Sequence, residues 1–291
     1  MMLFTDVSRS SLFKLTGVSP TRCVGIPRRW KLDACHCIPK TREVLSTSQR
    51  MKENTDLDSE FYAYPRLVNH ADAGFIQSLR LVYEEYLTTE KINLDGTQSR
   101  DSIVILDLAS SHVSHMPDII ASSPMYSVIG HGMNAEELQR NPLLDRYFIR
   151  DFNKTADDPW ALNASSVDAV CICCSVQYFQ YPEKIFAEIY RVLRPGGVVI
   201  VSFTNRMFWE KAIKAWRDLN DYGRVQLVKQ YIMSVMTEDG QRGFSNPVQV
   251  EKPQTGVLRQ GKSTSWISQI SSFLFPNKDP FYCVVAYKIM Q

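Results

Sequence analysis

This sequence predicts a doubly wound, mainly parallel α/β sheet of seven strands with helices on both faces. Two observations carry the prediction. Over residues 100–205, short and almost wholly apolar runs alternate with helical or turn-rich stretches, the pattern of parallel strands covered on both sides. The first such run ends in Asp107 and passes into Leu108-Ala109-Ser110-Ser111-His112, the layout of a strand that turns tightly into a ligand-binding loop, with small hydroxyl residues where glycines usually expose backbone amides. A length of 291 residues with 44% hydrophobic side chains allows one full core with appendages.

The strands follow in order. Ile103–Leu108 reads as the first, Ser127–His131 as the second, Tyr147–Arg150 as the third, Val167–Cys173 as the fourth and Val198–Phe203 as the fifth. Between the second and third, Asn134 followed by Ala135-Glu136-Glu137 is a capping-box pattern that starts a helix. From Pro182 onward, Ile185, Phe186, Ile189, Val192 and Leu193 repeat at helical spacing. Arg194-Pro195-Gly196-Gly197 then stops that helix, and the glycines turn the chain into the fifth strand. His115 falls at the expected start of the first helix.

Outside this unit, Pro65–Leu87 carries a helical apolar pattern, and Phe208, Ala212, Ile213, Ala215 and Trp216 mark another helix. Phe281–Tyr287 reads as a last buried strand with Val248–Val250 as its neighbour. Residues 255–278, rich in Ser, Gly and Lys, read as an insertion with a short amphipathic helix.

Charge divides the chain into a segment at 1–50 and a body at 58–291. The net charge of +2 points to neither a nucleic-acid nor a membrane partner, but residues 1–50 hold nine Lys/Arg against three Asp/Glu. That basic, hydroxyl-rich, acid-poor composition is that of a mitochondrial or plastid presequence, with a plain disordered tail as the alternative. No run approaches the ~18 apolar residues of a membrane span. Cys35-His36-Cys37 has no matching second pair, and Cys171, Cys173, Cys174 and Cys283 sit in apolar runs; neither zinc nor disulfides are predicted.

The order of elements resembles the Rossmann-like class I S-adenosylmethionine-dependent methyltransferases, in particular the methyltransferase type 11 group, over about residues 58–291. Its most specific piece is Glu188-Ile189-Tyr190-Arg191-Val192-Leu193-Arg194-Pro195-Gly196-Gly197. A plant and algal subgroup is similar at Phe61-Tyr62, Pro65-Arg66, Leu106-Asp107-Leu108, Val113-Ser114-His115, Gly132-Met133-Asn134-Ala135-Glu136-Glu137-Leu138, Asn205-Arg206 and Phe208-Trp209.

This resemblance implies S-adenosylmethionine as cofactor and assigns residues to it. Asp107 with Ala109 would serve its amino-acid end, Ser110 and Ser111 either donate hydroxyls to it or satisfy the tight turn, and Gly130, Gly132, Met133 and Asn134 would serve its ribose. Gly132 occupies the position of the acid that usually holds both ribose hydroxyls, while Asn134 is either a ribose contact or a helix cap. Asp151 and Phe152 correspond to the adenine contacts, Ser175 is a further cofactor-binding candidate, and the run Ser175-Val176-Gln177-Tyr178 sits where the methyl acceptor belongs. His70, His112 and His115 are candidate general bases, although a lone histidine near a helix end is more often a capping or packing residue; Arg66 and Tyr62 either close over the cofactor or fix the N-terminal helix.

Two readings follow. One is an organelle-targeted methyltransferase with an unknown acceptor. The other is a methyltransferase-like protein that has lost cofactor and catalysis and serves as an assembly or structural factor in an organelle complex. A nicotinamide oxidoreductase lacks its glycine fingerprint here. The methyltransferase layout predicts that Asp107, Ser110, Ser111, Gly130, Gly132, Asp151 and Ser175 line one crevice of ~300–1,000 Å³.

Overall fold

The structure is a computed structural model and describes residues 39–88, 102–253 and 279–290. The 255–278 insertion, residues 1–38 of the basic segment, and Cys23, Cys35 and Cys37 lie outside the described residues. In chain order the elements are β1 (Lys40–Thr41), α1 (Asp58–Phe61), α2 (Ala73–Tyr86), β2 (Ile103–Leu108), α3 (Asp118–Ala121), β3 (Tyr126–Gly132), α4 (Ala135–Arg140), β4 (Arg146–Ile149), β5 (Val167–Cys173), α5 (Pro182–Val192), β6 (Leu193–Phe203), α6 (Lys214–Asp218), α7 (Asp221–Met233), β7 (Val235–Met236), β8 (Val248–Val250) and β9 (Tyr282–Tyr287).

Seven strands form one sheet in the order β4-β3-β2-β5-β6-β9-β8. All neighbours from β4 to β6 are parallel, and β9 runs antiparallel to both β6 and β8. The period of two along each strand splits the core: Leu106, Val170, Val199 and Val284 pack on one face, and Ile105, Ala169, Ile200 and Val285 on the other. The first strand of the sheet is therefore central, and the order reverses between β2 and β5. This is the point where parallel sheets of this kind bind ligands, at the carboxyl ends of the strands.

The Arg-Pro-Gly-Gly stretch lies inside the long β6 as an irregularity in its pairing with β5, instead of forming a separate turn. Gly196 takes φ +76°, and a Cβ on Gly197 would stand 2.8 Å from the Arg194 carbonyl, so both glycines are required. Arg194 pairs with the fully buried Asp168, which also accepts from the Val104 amide at 2.8 Å. The end of α5 is closed by Lys288, whose ammonium donates to the carbonyls of Tyr190 and Leu193, both at 2.7 Å.

Several expectations are corrected. Residues 39–50 belong to the body: Leu45 is 1% exposed, the Val44 and Leu45 amides donate to Glu183 at the start of α5, and Arg50 forms an ion pair with the same carboxylate. The helix expected over Pro65–Leu87 begins only at Ala73, capped by Asp72 accepting from the Phe75 amide. The segment after β2 has no full helix. His115 sits at φ +51° and Pro117 bars helical geometry at Met116, so only the four-residue α3 follows. The apolar pattern at Phe208–Trp216 ends in the short α6, and the long helix of this region is α7, where Val225, Val228, Tyr231 and Ile232 are buried.

Candidate functional site

A crevice of about 410 Å³ opens at the carboxyl ends of the central strands. Asp107, Ser110, Ser111, Gly132, Asp151 and Ser175 line it, together with Ala109, Met133, Asn134 and Phe152. Gly130 does not. It faces Leu144, whose side chain a Cβ there would meet at 2.4 Å, so this residue serves packing instead of the crevice.

The loop after β2 is braced by side chains that glycines lack. Ala109 adopts φ +55°, and its amide donates to His131 Nδ1 at 3.1 Å. His131 Nε2 in turn donates to the Arg150 carbonyl at 2.9 Å, and burial holds its pKa down at about 3, so the ring is a neutral strut with a fixed tautomer. The Ser110 amide donates to the His131 carbonyl at 2.6 Å and its hydroxyl to Asp107 at 2.5 Å. Asp107 is 3% exposed, and burial raises its pKa to about 6 against the opposing pull of the Ser110 and Ser114 hydroxyls.

Two residues expected to contact the cofactor, Asn134 at its ribose and Phe152 at its adenine, are already engaged within the protein. Asn134 is fully committed: its Oδ1 accepts from the Glu136 and Glu137 amides, and its Nδ2 donates to the carbonyls of Tyr62 and Ala63 at 2.9 and 3.0 Å. It caps α4 and holds the 58–66 segment, with no valence left for a sugar. Phe152 stacks on His131 at 3.9 Å and on Trp160 at 4.7 Å, both nearly parallel, so its ring is spent within the protein. Gly132 has no room for the missing acid, because a Cβ would lie 2.8 Å from the Ser110 carbonyl oxygen and 3.2 Å from Leu138.

Glu137 does not reach back to complete the capping box. Its carboxylate accepts from the Arg66 amide and from the Ser111 hydroxyl, both at 2.6 Å, which ties the loop to the 58–66 segment. Asp151 Oδ1 accepts from the amides of Asn153 and Lys154 at 2.9 and 3.2 Å, and the Ser175 hydroxyl donates to the Cys173 carbonyl at 2.8 Å.

Beyond β5 and β6 the wall is aromatic. Phe208 packs against Phe61 and Tyr178 at 5.4 and 5.9 Å and takes the edge of His70 at 5.7 Å. The Arg66 guanidinium lies 4.2 Å from the Phe61 ring and 4.9 Å from Phe208. Behind Phe61, Asp58 accepts from Lys52 at 2.5 Å and pairs with the fully buried Lys211 at 3.3 Å.

All three candidate histidines reach the crevice wall. Burial lowers the pKa of His70, and that of His115 to about 4. His112 Nδ1 lies 3.2 Å from the Ser111 hydroxyl. His115 stands before α3 in left-handed geometry, not at a helix start. Sequence reasoning missed Glu137 as a crevice residue because its helix-capping spacing explained it fully. The run Ser175-Val176-Gln177-Tyr178, expected beside the acceptor, does supply Ser175, Gln177 and Tyr178 to the crevice wall; the sequence reading missed Phe208, since nothing local signals that it returns beside Tyr178. Among the described residues no group of three metal-ligating side chains forms, and no helix is long and apolar enough to cross a membrane.

Residues 129–201, from β3 through β6, match the family model described as a methyltransferase domain. No curated protein matches the chain. Among solved structures, a SAM-dependent methyltransferase from Archaeoglobus fulgidus is similar at 11% identity, over 73% of this chain and 94% of that one, with a TM-score of 0.43. A SAM-dependent methyltransferase from Methanosarcina mazei is similar at 14% identity, over 68% and 98%, with a TM-score of 0.38. The phosphoethanolamine N-methyltransferase 2 of Haemonchus contortus is similar at 14% identity, over 85% and 61%, with a TM-score of 0.44.

Proposed function

We propose that this chain, a class I S-adenosylmethionine-dependent methyltransferase by its strand order and matched segment, binds that cofactor in the crevice and transfers its methyl group to an acceptor held against the β5–β6 wall. The single observation that carries the reading is the open crevice of about 410 Å³ at the switch in strand order, with Asp107 on one wall and Asp151 on another. An adenosyl group fits such a volume. The sulfonium, when bound, supplies an electrophilic methyl. The protein has only to align a nucleophile with it and exclude competing water, so no dedicated catalytic motif is needed.

Within this reading Asp107 faces the ammonium end of the cofactor and Asp151 the adenine amino group, while the backbone at Gly132 and Met133 passes beside the ribose. A degenerate assembly factor is less well supported, since His112 forms part of the crevice wall and does not fill it. The basic segment before residue 39 serves, on this reading, as an organelle presequence.

Calorimetric titration with S-adenosylmethionine and S-adenosylhomocysteine tests the cofactor, with micromolar dissociation constants expected. Asp151→Asn keeps the Oδ1 that caps the 151–155 turn but removes the charge. It should weaken binding by about 1.5–3 kcal/mol while leaving the melting temperature unchanged. Absence of binding to the wild-type protein would overturn the proposal.

A further inference from the structure

Among the described residues, two polar side-chain atoms of crevice-lining residues have no hydrogen-bond partner. These are Arg66 Nη1 and Gln177 Oε1, both shielded from solvent. A buried polar atom left unpaired costs about 1–3 kcal/mol, a cost that a ligand bearing the complementary group removes.

Their orientations are fixed. Gln177 is 1% exposed, and its Nε2 donates to the Cys174 carbonyl at 2.8 Å, so exchanging its amide atoms would set two oxygens against each other. The guanidinium of Arg66 is stacked on Phe61 and Phe208, and its Nη2 donates to the Phe61 carbonyl at 3.2 Å. Phe208 joins the two, since its amide donates to the Tyr178 hydroxyl at 2.9 Å, one residue beyond Gln177. Arg66, from the 58–66 segment, and Gln177, after β5, are thus both joined to Phe208, which follows β6.

Resting on the proposed function, we infer that the methyl acceptor is a small amine carrying an anionic group, carboxylate or phosphate. Arg66 takes the anion through its planar donors. Gln177 Oε1 accepts the N–H of the reacting nitrogen and so turns its lone pair toward the methyl. A carboxamide oxygen is not a base at neutral pH, so the amine reacts from its neutral form, the proton of the ammonium that predominates in solution passing to water before the amine binds. The nitrogen lone pair forms the N–C bond as the S–C bond breaks with its electron pair going to sulfur. The resulting ammonium donates to Gln177 and loses its proton to water.

The test uses the full chain with methyl-labelled S-adenosylmethionine and a panel of amino carboxylates, amino phosphates, neutral amines and hydroxy acids of matched size. Transfer should favour anionic amines over neutral ones by at least tenfold in kcat/KM, with the carboxylate and phosphate arms separating the two anions. Arg66→Gln should raise KM for these acceptors at least tenfold and Arg66→Lys less, with S-adenosylhomocysteine affinity within twofold of wild type and melting confirming the fold. Gln177→Leu should lower kcat.

Transfer confined to neutral amines or hydroxyls, or none to any anionic amine while the cofactor binds, would overturn the inference. So would an equal loss of S-adenosylhomocysteine affinity in Arg66→Gln, which would put the guanidinium on the cofactor. Failure of the wild type to bind S-adenosylhomocysteine sinks the proposed function itself and is read from a separate titration.

Discussion

The two walls of the crevice differ in where their polar side chains spend their bonds. On the β2–β3 side, Ser110 donates to Asp107, Ser111 to Glu137, and Asn134 makes four hydrogen bonds to backbone. At the wall formed by Phe208 and the residues after β5, Arg66 Nη1 and Gln177 Oε1 have no partner among the described residues. The hydroxyl residues of the loop after β2 thus brace it. They restore by side-chain bonding the rigidity that a glycine turn obtains from close backbone approach. The first wall is left to present backbone and carboxylates, and the second to recognise by side chain.

The strongest way to break this comparison is Gly132→Asp. If the first wall merely lacked a ribose acceptor, the added carboxylate would tighten cofactor binding. The closed packing predicts the reverse, because a Cβ at 132 meets the Ser110 carbonyl oxygen at 2.8 Å, and a backbone atom cannot swing aside. Overpacking of this kind costs about 1–3 kcal/mol. Chemical denaturation should show a loss near the top of that range, and S-adenosylhomocysteine titration no gain in affinity. Tighter binding at unchanged stability would mean that the loop has room to move.

The sheet was legible because its signals are local and periodic. Five strands of 4–7 apolar residues read correctly to within a residue or two, except that β6 starts five residues early, at Leu193. The turn at Asn134 was legible as a cap for the same reason. What the sequence hid depends on contacts far apart in the chain. Glu183 gathers residues 44, 45 and 50, Glu137 gathers Arg66 and Ser111, and Phe208 returns to Tyr178. A residue whose spacing already has a local explanation, as Glu137 does, carries no second signal for its distant role. The missing first helix is a different case: Pro117 was visible, but the left-handed turn at His115 was not.

A titration sharpens the same comparison. Burial holds His115 near pKa 4 in the folded chain, against about 6.5 when unfolded. Between these values the unfolded chain binds a proton that the folded chain refuses, so this contribution to stability is complete above pH 6.5 and is lost as pH falls toward 4. His131, held near 3, and His70 act in the same direction. Asp107, raised to about 6, opposes them, since its contribution is complete below about pH 4 and is lost as pH rises through 6. His115→Asn retains a side chain that tolerates φ +51° and removes one titration. Its unfolding free energy should fall with acid less steeply than wild type, by up to about 1.4 kcal/mol per pH unit between pH 6 and 4.5. Parallel curves would show His115 to be solvated.

The smallest effect comes from the residue that begins the braced loop. Ala109 holds φ +55°, a geometry costing a residue with a Cβ about 1–2 kcal/mol, whereas glycine adopts it freely but loses about 0.5–1 kcal/mol more backbone entropy on folding. The difference predicts that Ala109→Gly stabilises the protein by about 0.5–1 kcal/mol. Its amide continues to donate to His131 Nδ1 and Ser110 remains anchored to the His131 carbonyl, so the loop keeps its course. S-adenosylhomocysteine affinity should accordingly stay within twofold. A tenfold gain would show that the Ala109 methyl group obstructs the cofactor. The replaced glycines would then mark a site being closed, and the first wall could no longer be called a braced equivalent of the glycine loop. A loss of stability would instead show that the contact of the Ala109 methyl with the core below the loop outweighs the strain of its backbone.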